Sequence, residues 1–448
     1  MNPMPGMIRY ERKDKVTGQL VHVYQHHSGF KIDLIPKAGF KNKYCSFLIP
    51  FGAEHLNYLD RYSGDVIKAE LGTAHFLEHC IFSSADSSGV VSQLTALGVD
   101  TEAYTTATYT LFSFTCVESF AEALKLYFRA IFSPEFSDEK TKREKEIILT
   151  ELNMYKEDLS TAAERILMQA LYSHPAFYED ILGTADSIAA IETEDLRRMH
   201  KNFYTPSCMS LILVGSFEEE EALIRGVAEW LEIYVGSGLR YPKLLPLEGD
   251  PEEEITPMQR LELPSSTSSF YLAYKKPTLR GHEHRDGSEI LRSKMSGKLV
   301  TSMLIDQGSG AFEELYDEGL VDESLSIDYT VESTYAYLSI SGDSMQPERA
   351  AEKLAARLEE YIRLGAFDEQ RMDELIRSRL GDFLRSLDDV EQCGEAAVRT
   401  RLRHLEFSDY ASVFYSLKGR EMLKELDFVK PENRAVVVVH GRKEKGAK

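Results

Sequence analysis

The 448-residue sequence contains no apolar run approaching the roughly 18 residues a membrane-spanning helix needs, so no span is expected. Its start, MNPMPGMIRYERKDK, lacks the apolar core of a secretory signal, which sets the expectation of a cytoplasmic protein. Cysteine is scarce: Cys45, Cys80, Cys116, Cys208 and Cys393 are odd in number, scattered, and form no C-x-x-C pair. That pattern suggests neither a disulfide framework nor a cysteine metal site. Basic residues are in deficit, with 52 Lys+Arg against 73 Asp+Glu and a formal net charge of −21. Nucleic-acid binding needs a basic surface and is not expected. The negative field suits long-range attraction of cationic peptides and serves solubility equally; charge alone does not choose between them.

What remains is ordinary for a soluble globular protein, 43% hydrophobic and 28% charged residues. The length exceeds what one small core organises, so two or more domains are expected.

The sequence is organised around His75-Phe76-Leu77-Glu78-His79, within LGTAHFLEHCIF. On a helix, His79 lies about 40° around from His75, and Glu78 about 60° to the other side. Both imidazoles and the carboxylate then project from one face. Neutral imidazoles suit zinc, and a carboxylate beside a zinc-bound water can take its proton. The order H-x-x-E-H inverts the commoner H-E-x-x-H. Cys80 would point about 100° away from His79 and is expected in the core. Catalytic zinc takes three protein ligands, and the helical stretch KREKEIILTELNMYKED offers Glu144 and Glu151. Seven residues apart, they lie nearly superposed on one helical face.

AHFLEH followed by EKEIILTELNMY resembles the pitrilysin/insulinase family of zinc metallopeptidases, in particular its shorter bacterial branch similar to the mitochondrial processing peptidase. Seventy-one residues separate His79 from Glu151, which suits that family. The resemblance implies zinc held by His75, His79 and Glu151, Glu78 as general base, and Glu144 as an acid supporting the ligands. It extends through ILGTADSIAAIETEDLRRMHKNFYTPSCMSLILVG, covers most of residues 1 to about 235, and weakens beyond.

Along the chain, LVHVYQHHSGFKIDLIPKAGFKNKYCSFLIPFGA reads as strands with turns at Ser28-Gly29 and Ala38-Gly39. His26 and His27, beside the first turn, are expected at the surface. Val99 to Cys116 reads as a hairpin. The resemblance implies that its strand at Ala103, Tyr104 and Thr105 pairs with an extended peptide substrate by β-augmentation. Glu102 stands where the family has Asn; an ionised carboxylate cannot donate to a substrate carbonyl, so a basic substrate residue is the expected preference. Phe120, Leu124, Tyr127, Phe128 and Ile131 mark a buried helical face. Ser137 opens the Glu144/Glu151 helix, Thr161-Ala-Ala-Glu164 reads as a capping box, and Thr193 starts a further helix.

Residues 236–257, rich in Gly, Pro and acid, read as a linker between a zinc-bearing half (1–235) and a second half (258–448). VKPENRAVVVVHG near the end echoes YTPSCMSLILVG, with Pro206 and Pro431 separated by 225 residues. An internal duplication is expected: α+β, two homologous halves, each a mostly antiparallel sheet packed by helices. The family implies a clamshell arrangement admitting unfolded peptides.

The second half carries no H-x-x-E-H. Where complete family members show L-R-x-x-x-G-L-x-Y, this chain has Glu314-Leu-Tyr-Asp-Glu-Gly-Leu-Val-Asp322. Leu315 or Tyr316 takes the Arg position and Asp322 the Tyr position, so the donors for a substrate carbonyl and its oxyanion are missing. The resemblance implies a heterodimer in which a family member supplies that Arg/Tyr motif. Two functions follow as expectations. One is a zinc endopeptidase; the other is a non-proteolytic or maturation-associated partner subunit that retains zinc. The intact Glu78 favours the first, because a structural site needs no base.

Overall fold

Near-continuous apolar runs such as KIDLIP, KYCSFLI and SLILVG bury both faces of their strands, so they belong at the centre of a sheet. The computed structural model describes residues 6–82, 89–234, 241–245, 247, 255–263, 267–277, 286–332 and 335–441. Its strands, in chain order, begin with β1 (Met7–Lys13), β2 (Leu20–His26), β3 (Lys31–Pro36), β4 (Lys43–Ile49), β5 (Asn57–Leu59) and β6 (Val66–Lys68). They continue with β7 (Asp100–Thr105), β8 (Thr110–Cys116), β9 (Ser210–Gly215) and β10 (Lys243–Leu244). The last five are β11 (Met258–Leu263), β12 (Ser269–Lys275), β13 (Ser326–Val331), β14 (Ala336–Asp343) and β15 (Arg434–Gly441).

The chain forms two compact units. The first comprises residues 1–154, 179–247 and 384–410, and the second comprises 155–178, 248–383 and 411–448. The units are therefore discontinuous, unlike the sequential halves read from the sequence.

In the first unit, a seven-stranded sheet runs β1-β2-β3-β9-β4-β8-β7. Only β3 and β9 pair in parallel; the other neighbours are antiparallel. Alternation decides which partner each face meets. Ile32, Leu34, Cys45 and Phe47 join the core with the helix Phe120–Phe132. Asp33 and Tyr44 point to the opposite face, against the helix Val390–Arg401. There Gly394 lies so close that a β-carbon on it would come within 2.1 Å of the Tyr44 ring. Arg401 Nε donates to Asp33 Oδ2 at 2.8 Å, and both side chains are buried.

In the second unit, the sheet order is β11-β15-β12-β14-β13, with β11 and β15 parallel and the other pairs antiparallel. This is the order of β3-β9-β4-β8-β7, strand for strand, including the single parallel pair. β9 and β15 are each entered from a proline-led turn, at Pro206–Cys208 and Pro431–Asn433. The echo read from the sequence is thus a repeated topology. Helix Leu159–Leu171, from the first half of the chain, covers this second sheet through Ala163, Leu167 and Leu171 against Tyr271, Ala273 and Val437. Helix Val390–Arg401, from the second half, covers the first sheet. This exchange of helices makes the units discontinuous.

Some local expectations change. Of the stretch 236–257, residues 236–240, 246 and 248–254 lie outside the described residues, while Lys243–Leu244 form β10 against β5. The helix expected from Thr161 begins at Leu159, because Asp158 caps it by accepting from the Ser160 N–H at 3.0 Å. Ser137 does cap the Glu144/Glu151 helix, Asp138–Glu157, accepting from the Lys140 N–H at 3.2 Å. His26 is buried at 1% exposure rather than at the surface, whereas His27 is about half exposed. All five cysteines are free and buried. Among the described residues, no helix is long and apolar enough to cross a membrane.

Candidate metal centre

The helix Thr73–Ile81 carries His75, Glu78 and His79. Phe76, Leu77 and Cys80 anchor it in the core, which leaves the two imidazoles and the carboxylate to share the remaining face. Burial pushes the Cys80 thiol up to about 12, as befits a packing residue. Gly72 precedes the helix at φ +83, and a β-carbon there would lie 2.1 Å from the Leu182 carbonyl oxygen. Gly183, at φ +86, is pressed in turn against Leu71, where a β-carbon would lie 2.6 Å from its carbonyl oxygen. Two Leu-Gly-Thr segments therefore lock together and fix where the helix starts. Sequence reasoning missed this contact, although both segments read LGT.

Helix Asp138–Glu157 brings Glu144 and Glu151 to the same place. Ligand atoms of His75, His79 and Glu151 all lie within 4.8 Å of one another. The His75 and His79 rings meet edge-on with centroids 4.6 Å apart. His79 Nε2 is 3.4 Å from Glu151 Oε2, and its Nδ1 is 3.6 Å from Glu144 Oε2. Glu144 is almost wholly buried, at 1% exposure.

Burial lowers the affinity of His79 for a proton, but hydrogen bonding to Glu144 and Glu151, with the Glu78 charge, outweighs it and raises the pKa to about 9. Burial, and then the neighbouring His79, pull His75 down to about 4. Hydrogen bonding to His79 lowers Glu151. Burial raises Glu78, tempered by the Thr105 hydroxyl.

These residues fit zinc. Two imidazoles and a carboxylate are the donor set of an open site with three protein ligands. Three carboxylates make the place one that favours a cation. Glu144 behind His79 is the arrangement that orients a ligating imidazole. Among the described residues, His75 Nδ1 is buried without a hydrogen-bond partner.

The residues assigned to substrate lie alongside. Among the described residues, β7 is an edge of its sheet, paired on one side with β8. The Thr106 N–H donates to the Tyr109 carbonyl at 2.8 Å, which fixes the hydrogen-bonding phase of the hairpin. By alternation, the backbone groups of Ala103 turn away from β8 toward the open edge. Thr105, the buried end of β7, donates to Glu78 Oε2 at 2.6 Å. The Tyr104 hydroxyl donates to Glu395 at 3.1 Å. Glu102 is exposed, and burial followed by the charges of Glu102, Asp389 and Asp100 raises the pKa of Glu391. A cleft of about 420 Å³ lined by Asp389, Glu391, Glu395 and Arg399 belongs to this unit. Glu395 and its helix were not legible in the sequence as neighbours of β7.

Known proteins of one family resemble this chain. Residues 67–185 match the family model for insulinase (peptidase family M16), and residues 190–379 match that for the peptidase M16 inactive domain. The uncharacterized zinc protease YmfH of Bacillus subtilis is 26% identical over 394 residues, spanning 86% of this chain and 88% of its own. A mitochondrial-processing peptidase subunit beta of Arabidopsis thaliana is 28% identical over 156 residues, covering 34% of this chain and 29% of its own. In fold, an M16-like peptidase from Alicyclobacillus acidocaldarius superposes with a TM-score of 0.86 at 24% identity, covering 95% of this chain and 99% of that one. With the paired imidazoles, the ligand-helix glutamates and the repeated sheet all in place, the chain belongs to the pitrilysin/insulinase family of zinc metallopeptidases, peptidase family M16.

Proposed function

We propose that this chain is a zinc-dependent endopeptidase acting on unfolded peptides, with His75, His79 and Glu151 as the metal ligands. The observation that carries the reading is Glu78, buried beside the three donors and held by Thr105. Bound there, zinc supplies Lewis-acid polarisation of the scissile carbonyl and acidifies water. Glu78 takes a proton from the attacking water, whose oxygen bonds to the carbonyl carbon. When the C–N bond breaks, Glu78 returns that proton to the leaving amine. Glu144 orients His79 from behind. Glu102, Ala103, Tyr104 and Thr105 offer the open edge of β7 to an extended peptide, whose backbone supplies the missing strand. Glu102, with Asp100, Asp389 and Glu391 near it, supports a preference for a basic substrate side chain.

The second reading is a partner subunit that keeps zinc without cleaving. Tyr316 and Asp322 in place of the Arg/Tyr donors favour it. A heterodimer with a family member that supplies those donors reconciles both sets of residues.

The test is Glu78→Gln, read by mass spectrometry of an unfolded peptide library and by metal analysis. The amide keeps the shape but cannot act as a base, so zinc should be retained while cleavage falls by a factor of about 10² to 10⁴. Wild-type cleavage by the variant would remove Glu78 as the base. No cleavage by wild type, alone or paired, would favour the non-proteolytic reading.

A further inference from the structure

We propose a second site for a divalent ion of the zinc type, formed by His26, His27 and Glu232 and independent of the His75/His79/Glu151 centre. All three residues belong to the first unit. Their ligand atoms lie within 4.8 Å of one another. Both imidazoles aim the same nitrogen at the same carboxylate oxygen, His27 Nε2 at 2.6 Å and His26 Nε2 at 3.1 Å from Glu232 Oε1. Consecutive residues of an extended strand send their side chains to opposite faces. Here β2 ends at His26, and the turn that follows brings the His27 ring onto the same side, with centroids 4.1 Å apart.

Three features make this more than a surface contact. The donor set, two imidazole nitrogens and a carboxylate oxygen, is one that zinc, cobalt and nickel accept. The buried His26 ring is held from behind, its Nδ1 2.8 Å from Ser28 Oγ, in the way ligating imidazoles are oriented. The donors also converge on one small space. A β-carbon on Gly6 would come within 2.9 Å of His27 Cδ2, 3.1 Å of His26 Nε2 and 3.3 Å of Glu232 Oε1. A cleft of about 520 Å³, lined in part by Gly6, His26, His27 and Ser207, gives water a route to the remaining coordination positions. Such an ion would clip the end of β2 to the helix Glu220–Tyr234, whose Glu232 is half exposed. Exposure makes this the weaker and more exchangeable of the two sites.

The test uses the full chain, stripped with chelator and titrated with Zn²⁺ and with Co²⁺. Stoichiometry is read by equilibrium dialysis, and geometry by cobalt absorption. Wild type should bind two equivalents. The double variant His27→Ala/Glu232→Ala, at two half-exposed positions, should keep its far-UV circular dichroism and bind one. Ser28→Ala should weaken the second equivalent about tenfold or more while leaving the first unchanged. The converse double variant, His75→Ala/His79→Ala, should retain the weaker equivalent; if it fails to fold, wild type against His27→Ala/Glu232→Ala decides alone. An equivalent count that is the same in wild type and in His27→Ala/Glu232→Ala overturns the proposal and makes the trio a hydrogen-bonded cluster without an ion.

Discussion

The Thr105 hydroxyl donates to the Glu78 carboxylate at 2.6 Å, tying the last residue of the open edge strand to the proposed base. The bond stabilises the ionised carboxylate against the burial that raises its pKa. Thr105→Val removes it, so the Glu78 pKa should rise further. A hydrogen bond to a charged group contributes about 1.5–3 kcal/mol, equivalent to roughly one to two pH units. The acid limb of kcat/KM should therefore move to higher pH by about that amount, with zinc content unchanged and with Thr105→Ser near wild type. A pH profile that does not move would show the bond to be incidental.

Gly72 sets the position of the helix Thr73–Ile81. At φ +83, with the Leu182 carbonyl where a side chain would begin, alanine is both strained and blocked by backbone. Gly72→Ala should cost more than about 2 kcal/mol and displace the helix. Urea unfolding should show the lost stability, and metal analysis a lowered zinc content. Full zinc occupancy with unchanged stability would mean that the two LGT segments separate without consequence.

The pH dependence of folding can be worked out for His55. Burial lowers its pKa from 6.5 to about 4. Its Nδ1 accepts the Gly52 N–H at 3.0 Å, a bond that protonation of that nitrogen would break. Because the folded pKa lies below the unfolded one, the unfolded chain binds more protons between these values. The contribution is complete above about pH 6.5 and is lost as pH falls toward 4, a total of about 3 kcal/mol. The turn matters to the site. Ala53 and Glu54 donate to the carbonyls of Thr106 and Ala107 at the tip of the β7–β8 hairpin, each at 2.9 Å. His55→Asn keeps an acceptor that does not titrate in this range. Its urea stability should fall less than wild type between pH 6.5 and 5; equal slopes would place the acid sensitivity elsewhere.

What the sequence reveals and what it hides divide by contact range. His75, Glu78 and His79 share a face through helical geometry alone, and so do Glu144 and Glu151. The repeated sheet was legible because β9 and β15 keep a proline followed by an apolar run. Hidden were contacts set only by tertiary packing. Tyr104 meets Glu395 across 291 positions, and Asp33 meets Arg401 across 368. Both join a helix from the second half of the chain to a sheet from the first, an exchange that no local periodicity encodes. His26 misled for a simpler reason: its neighbours read as a turn, yet strand alternation at the end of β2 buries its ring.

The last prediction concerns the partner: the isolated chain should cleave weakly, and a family member bearing the Arg/Tyr motif should restore cleavage. In the second unit, Leu315 is buried and committed to packing, so it offers no donor. Tyr316 is exposed, but it is not a guanidinium. Arg357 is already engaged by Glu314 at 2.8 Å. Asp322 accepts from the Ser324 N–H at 2.8 Å and carries the wrong sign of charge for a developing oxyanion. Losing one such donor costs about 3 to 4 kcal/mol, a factor of 10² or more in turnover. A second copy of this chain would bring the same deficiency, so homodimerisation should not help. Peptide cleavage should be assayed with the isolated chain while the partner is titrated in. A rise of about 10² that saturates at one partner per chain, and that is abolished by Glu78→Gln in this chain, is the expected result. Full activity from the isolated chain, unchanged by the partner, would assign the oxyanion donors to other residues of this sequence.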